Sequence, residues 1–312
     1  MHKLAVVAIG GNAVNRPSEP PTAENMLKHL RETMEYLVDL AKEYDLIITH
    51  GNGPQVGNLL IQQDMAKDVV PQFPIDVNDA QTQGSLGYMI VQSLHNALIE
   101  KGMKKKICAM ITQIVVDESD PAFENPTKPI GPFYNEEEAK RLACEKGWVV
   151  VEDAGRGWRR VVPSPKPLDV IELDAIEYLV RSGAIVVAAG GGGIPVVKDA
   201  KGHLKGVEAV IDKDRASSLL ARLLKADLFL ILTGVEKVYL NYKKPDQKPI
   251  NVMTVEEAKK YLQEGHFHKG SMLPKVEAGI DFVEEVGNTF IITSMEKIKE
   301  ALGGRTGTRI VQ

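Results

Sequence analysis

The chain has 312 residues, of which 44% are hydrophobic and 26% charged, with a formal net charge of −4. That balance gives no basic surplus for a nucleic-acid partner, and no apolar run approaches the roughly 20 residues that a membrane span needs. The length calls for one large α/β domain or two lobes.

In chain order, Lys3 to Ile9 is the first expected strand, and Gly10-Gly11-Asn12-Ala13 follows it directly. Leu27, Leu30, Met34, Leu37, Val38 and Ala41 recur at helical spacing. Leu46 to Thr49 is the next strand and opens into His50-Gly51-Asn52-Gly53-Pro54-Gln55. A second helical period runs through Leu86, Ile90, Leu94 and Leu98. Further strands are expected at Ile107 to Val115, Ala184 to Ala189, Leu228 to Leu232 and Asn288 to Thr293, with Gly190 to Gly193 closing the second of these. Thr254 with Glu257 forms a capping box, and Pro274 suits the first turn of a helix. Strands alternating with helices predict a mainly parallel sheet covered by helices.

The segment from Asp117 to Pro167 interrupts that alternation. It contains seven of the 17 prolines and both tryptophans. A hairpin from Trp148 to Val162, turning at Ala154-Gly155-Arg156-Gly157, is expected inside it. Long insertions in α/β enzymes are often functional, so the segment reads as a lid that carries Lys128 toward a cleft. Cys108 and Cys144 lack metal-ligand spacing and read as reduced structural thiols, which points to the cytoplasm. The amino terminus is too short for a signal peptide. His266 and His268 flank Phe267 like half a metal site, but no third ligand accompanies them.

Glycine turns that deliver bare backbone N–H groups to strand ends, together with a few lysines, suit the holding of phosphates. The Gly-x-x-x-x-Gly-Lys-Ser/Thr loop is absent, as are the protein-kinase signatures. A phosphate-handling fold of another lineage is required. Gly10-Gly11-Asn12-Ala13, His50 to Gly57, Ala189 to Pro195, Asp212-Lys213-Asp214, Leu232-Thr233-Gly234-Val235 and Gly270 to Val276 occur in that order. Together they resemble the amino acid kinase superfamily and, within it, the carbamate kinases. The insertion, with Thr127 to Tyr134, is similar to the protruding subdomain of that group.

The resemblance implies a three-layer αβα sandwich with an inserted small subdomain at 117–167. It also implies a lobe over 1–220 for carbamate or carbamoyl phosphate and a nucleotide lobe over 221–312. The implied reaction converts ATP and carbamate, formed from ammonia and bicarbonate, to ADP and carbamoyl phosphate. The implied assembly is a homodimer, and Mg2+ is carried by the nucleotide with no metal site on the protein. A sister kinase acting on acetylglutamate, aspartate, UMP or isopentenyl phosphate, or a non-catalytic nucleotide or metabolite sensor, is the alternative.

Carbamate is already an anion and needs no general base; the obstacle is its repulsion from a polyanionic γ-phosphoryl group. Lys213 and Lys275 are the expected neutralising charges, Asp212 is expected to hold both ammonium groups, and Lys128 supplies a third. Asp214 is read as the cap of the helix that follows. Gly10, Gly11 and Asn12 are expected at the transferred phosphoryl group. Gly51, Asn52 and Gly53 are expected at the carbamate, with Gly191 and Gly192 as further substrate contacts. Thr233, Gly234, Val235, Tyr239, Met272 and Pro274 are the nucleotide candidates.

Overall fold

A computed structural model describes residues 2–16, 19–153, 155, 157–268 and 270–312. From the amino terminus the chain forms β1 (Lys3–Ile9), α1 (Ala23–Leu40), β2 (Tyr44–His50), α2 (Gly53–Ala66) and α3 (Ile75–Glu100), then β3 (Ile107–Ala109) and β4 (Gln113–Val115). The insertion contributes β5 (Lys128–Tyr134), α4 (Glu136–Lys146), β6 (Val149–Glu152) and β7 (Trp158–Val162). The chain continues through β8 (Asp169–Val170), α5 (Leu173–Arg181), β9 (Ile185–Val187), β10 (Ile194–Lys198), β11 (Leu204–Gly206), α6 (Lys213–Leu223) and β12 (Leu228–Leu232). It ends with β13 (Val238–Leu240), β14 (Lys248–Ile250), β15 (Val252–Thr254), α7 (Val255–Gln263), α8 (Met272–Val286), β16 (Thr289–Thr293), α9 (Ile298–Leu302) and β17 (Thr308–Val311).

Eight strands make the central sheet in the order β15-β17-β16-β12-β1-β2-β9-β3. Its pairs are parallel apart from β16 with β17. The period of two along a strand divides the core between the two faces. Leu4, Val6 and Ala8 pack on one side with residues of α5, α6, α7 and α8, whereas Ala5, Val7 and Ile9 pack on the other with α1, α3 and α9. Both faces of β1 are therefore dry, and the unbroken apolar run is its sequence signature. The result is the three-layer αβα sandwich. The expected bounds of β1 and β12 are met residue for residue, and the Thr254–Glu257 capping box starts α7.

One expected strand is divided. Ile107 to Val115 breaks at Met110, after which β4 leaves the central sheet and pairs with β10 in a second sheet, ordered β11-β10-β4-β8. A side chain from α3 makes the break: Gln83 accepts from the Thr112 N–H at 2.8 Å and donates to the Thr112 carbonyl at 3.1 Å. The expected strand over Ala184 to Ala189 is shorter, because Ala189 turns out of the sheet at φ 49°. Two residues of the expected hairpin turn, Ala154 and Arg156, lie outside the described residues, but β6 and β7 do pair antiparallel around it.

The insertion folds as the sheet β5-β7-β6 with α4 against it. It seats on α2 through a separate apolar cluster of Val56, Leu60, Ile75, Ile130, Val162 and Val210. At the centre of that seat Gly57 lies directly under the backbone of Gly131, where a methyl group would fall on main-chain atoms. A glycine in a helix interior normally costs about 1 kcal/mol against alanine, so close approach accounts for it here. Gly57→Ala is expected to lose about 1–3 kcal/mol of stability from overpacking, and to shift the emission of Trp148 and Trp158, which both lie in the insertion. An unchanged melting temperature with unchanged emission would show that the seat is looser than this contact requires.

Candidate active site

Parallel strands bring their carboxyl ends to one edge of a sheet, and ligands in such folds bind there. Ile9 is paired with His50 on one side and Leu232 on the other, so Gly10, Gly51 and Thr233 emerge side by side. A cavity of about 140 Å³ opens at this edge, lined by Gly10, Gly11, Asn12, Ala13, Lys213, Leu232, Thr233, Gly234, Lys275 and Met295. Larger hollows lie in the outer helix layer, such as one of about 330 Å³ bounded by Arg31, Glu35, Ser93 and Glu100. None of the glycine turns lines that one.

The two lysines that line the cavity enter on two helices. Asp212 caps α6, its carboxylate accepting from the N–H groups of Asp214 at 2.9 Å and Arg215 at 3.3 Å. Capping fixes the first turn, and Lys213 and Asp214 follow at once. Lys213 Nζ donates to Asp214 Oδ1 at 2.5 Å. Lys275, in the first turn of α8, donates to Asp214 Oδ2 at 2.8 Å. Lys128, at the start of β5, reaches down from the insertion to Asp212 Oδ2 at 2.6 Å. Three ammonium groups thus face two carboxylates, an excess of one positive charge, beside the amino-terminal ends of α6 and α8.

This arrangement corrects the roles expected of the two aspartates. Asp214, read from sequence as a cap, holds Lys213 and Lys275, whereas Asp212 is the cap and the partner of Lys128. Burial opposes the ionised form of both carboxyls, but the lysines prevail and hold each below the usual carboxylate range. Burial likewise opposes both ammonium groups. It wins at Lys213, which is lowered, and loses at Lys275, which Asp214 carries above its ordinary value.

The glycine turns close around these charges. Gly10 lies against the Leu232 carbonyl, with room for no side chain: a Cβ would come within 2.9 Å of that oxygen. Gly51 borders the Lys213 stem, and Gly53 lies under the Pro129 carbonyl and the Arg159 guanidinium of the insertion. Gly191 and Gly192, with φ of 70° and 100°, fold back against the Asn52 amide and the Ile211 carbonyl. The Asn52 side chain is buried and turned away from the opening, its nitrogen donating to Asp79 and Thr82 of α3. His50 is fully buried, and desolvation pulls its imidazole down to about 4, so it is neutral and donates from Nδ1 to the Gly51 carbonyl at 3.1 Å.

Seven candidates meet in one cavity: Gly10, Gly11, Asn12, Lys213, Thr233, Gly234 and Lys275. Val235, Tyr239, Met272 and Pro274 do not line it, and neither do Lys128, Asp212, Gly51, Asn52, Gly53, Gly191 and Gly192. Tyr239 lies in β13 with its ring 5.8 Å from that of Tyr242, and Pro274 is buried in the first turn of α8 beneath Lys275. Met295, Asp79, Thr82 and Gln83 had no sequence signal of their own. Asp214 had one, its place beside Lys213. No group of three or more metal-ligating side chains occurs among the described residues.

Comparison with known proteins adds to this geometry. The model of the amino acid kinase family matches residues 3–294. A carbamate kinase of Thermococcus kodakarensis is 52% identical, with 99% of each chain covered. Carbamate kinase 1 of Enterococcus faecium is 51% identical over 100% of this chain and 98% of its own. A solved carbamate kinase from Giardia lamblia bound to AMP-PNP superposes with a TM-score of 0.90 at 41% identity, covering 99% of this chain and 98% of that one. The chain belongs to the amino acid kinase family and, within it, to the carbamate kinases.

Proposed function

We propose that the chain catalyses reversible phosphoryl transfer between ATP and carbamate, giving ADP and carbamoyl phosphate, in the cleft at the carboxyl ends of β1, β2, β9 and β12. The observation that carries this reading is the pair of lysines, Lys213 and Lys275, held on one buried carboxylate beside the Gly10–Asn12 turn. Sister activities on larger acceptors are not favoured at about half identity to curated carbamate kinases over the whole chain.

A carbamate oxygen attacks the γ-phosphorus while the bond from that phosphorus to the β–γ bridging oxygen breaks, and no proton need move. Lys213 and Lys275 lie against the transferring group and offset its charge. Asp214 keeps both ammonium groups aimed at the cavity, so they need not reorganise during the reaction. Lys128, held by Asp212, brings the third cation and ties the insertion to the reacting edge. The backbone N–H groups of Gly10, Gly11 and Asn12 receive the phosphoryl oxygens, and those of Gly51, Asn52 and Gly53 receive the carbamate. Gly191 and Gly192 support the latter turn.

The nucleotide lies over 221–312, with its phosphates at Thr233 and Gly234; Val235, Tyr239, Met272 and Pro274 are candidates for the more distant adenosine. The 1–220 portion carries the acyl substrate. Asp212 and Asp214, the carboxylates nearest the cavity, are already committed to lysines, so Mg2+ would arrive with ATP and would supply charge neutralisation there. A homodimer is supported by β3 at the open end of the central sheet and by the exposed apolar side chains of Tyr88, Ile99 and Ile111 nearby. A native mass of one chain in solution would refute it.

ATP formation from carbamoyl phosphate and ADP tests the assignment. Lys275→Ala is expected to lower turnover about a hundredfold or more while ADP affinity by calorimetry changes much less, because the ammonium acts on charge developed during transfer. Arginine at that position should not rescue, since its broad planar head is no substitute for a compact charge. Near-normal turnover in a folded Lys275→Ala protein would remove Lys275 from the mechanism.

A further inference from the structure

Helix α3 presents a row of buried polar side chains to the back of the substrate turns. Asn52 Nδ2 donates to Asp79 Oδ1 at 2.9 Å and to Thr82 Oγ1 at 2.8 Å. The Thr82 hydroxyl gives its own proton to the Asp79 carbonyl at 2.7 Å. Its oxygen therefore accepts from Asn52, which fixes the amide with its nitrogen toward α3 and uses both of its hydrogens. Asn52 stands at the N-cap position of α2, yet its side chain makes no capping bond. The residue ties the turn after β2 to α3 and does not cap its own helix.

Asp79 is unlike the carboxylates of the reacting centre. It is 1% exposed, and its Oδ2 has no hydrogen-bond partner among the described residues. An ionised carboxylate left with a bare oxygen in that place would carry a large desolvation penalty. The lysines of the cavity are held by Asp212 and Asp214. We propose that Asp79 is a positioning residue for the Gly51–Asn52–Gly53 turn, gripping Asn52 as a neutral hydrogen-bond acceptor and not as a charge. Burial supports this by pushing its carboxyl well above the usual range, with Asp76 adding to the rise and the Asn52 bond opposing it. Because Gly191 packs directly on the Asn52 amide, the same grip sets the neighbouring glycine turn. The inference rests on the reading of this turn as the carbamate site.

The test compares the purified full-length Asp79→Ala, Asp79→Asn and Thr82→Val proteins with the unaltered chain, varying carbamoyl phosphate and ADP separately in the ATP-forming direction. Loss of the anchor in Asp79→Ala is expected to raise KM for carbamoyl phosphate about tenfold and leave KM for ADP within about twofold. Asp79→Asn keeps an oxygen for Asn52 to donate to and should restore KM to within about threefold of the unaltered chain. Should Asp79→Ala fail to fold, Thr82→Val removes the second anchor and is expected to show the same selective rise. Asp79→Asn as impaired as Asp79→Ala would overturn the neutral grip, and carbamoyl phosphate kinetics unchanged in both Asp79→Ala and Thr82→Val would overturn the positioning role. A rise confined to ADP would instead overturn the assignment of this turn to carbamate.

Discussion

Asp214 is the group on which the reacting edge depends. Two ammonium groups buried side by side repel by on the order of a few kcal/mol at an effective dielectric of about 20, and each also loses hydration on leaving water. One carboxylate accepting from Lys213 on one oxygen and Lys275 on the other offsets both penalties. It does so without filling the cavity, because its own side chain is buried behind them. On the proposed reading the positive charges are in place before a polyanion arrives, which is the condition for preorganised electrostatic catalysis.

The fold makes that arrangement possible by converging several elements on one edge. Parallel pairing aligns the ends of β1, β2, β9 and β12, and α6 and α8 pack together with their amino-terminal ends at the same place. Helix starts favour anions and expose unpaired N–H groups, so they add to the lysines. The insertion enters from the other side, tied by Lys128 to Asp212 and seated on α2 where two glycine backbones meet. Behind the turns, α3 supplies Asp79, Thr82 and Gln83, which anchor Asn52, Thr112 and Gly190. The charged front of the site and its polar backing are therefore built from different helices.

How much of this could be read beforehand depended on whether a feature is local. The bounds of β1 and β12 were legible because strands dry on both faces are uninterrupted apolar runs. The division of the 107–115 run was not, since Gln83, some 29 residues earlier, supplies the bonds that break it. Asp212 and Asp214 illustrate the same limit within three residues. Either can cap α6 on local grounds; what separates them is the arrival of Lys275 from 61 residues away. Asp79 and Thr82 sit within a long helix with no motif around them, and only tertiary packing against Asn52 distinguishes them. The glycine turns could be read because short strings at strand ends carry their own chemistry, whereas Lys213 and Lys275, at the starts of α6 and α8, stood out only through the strings they share with the resembled family.

The role given to Asp214 can be measured most directly by replacing it with asparagine, which keeps the shape and removes the charge that holds two ammonium groups together. Turnover of carbamoyl phosphate and ADP should fall about a hundredfold in a protein whose far-ultraviolet circular dichroism is unchanged, with a decline in rate toward higher pH as burial strips the proton from Lys213. Turnover and pH profile equal to those of the unaltered chain would contradict the account, because the two lysines would then need no shared carboxylate.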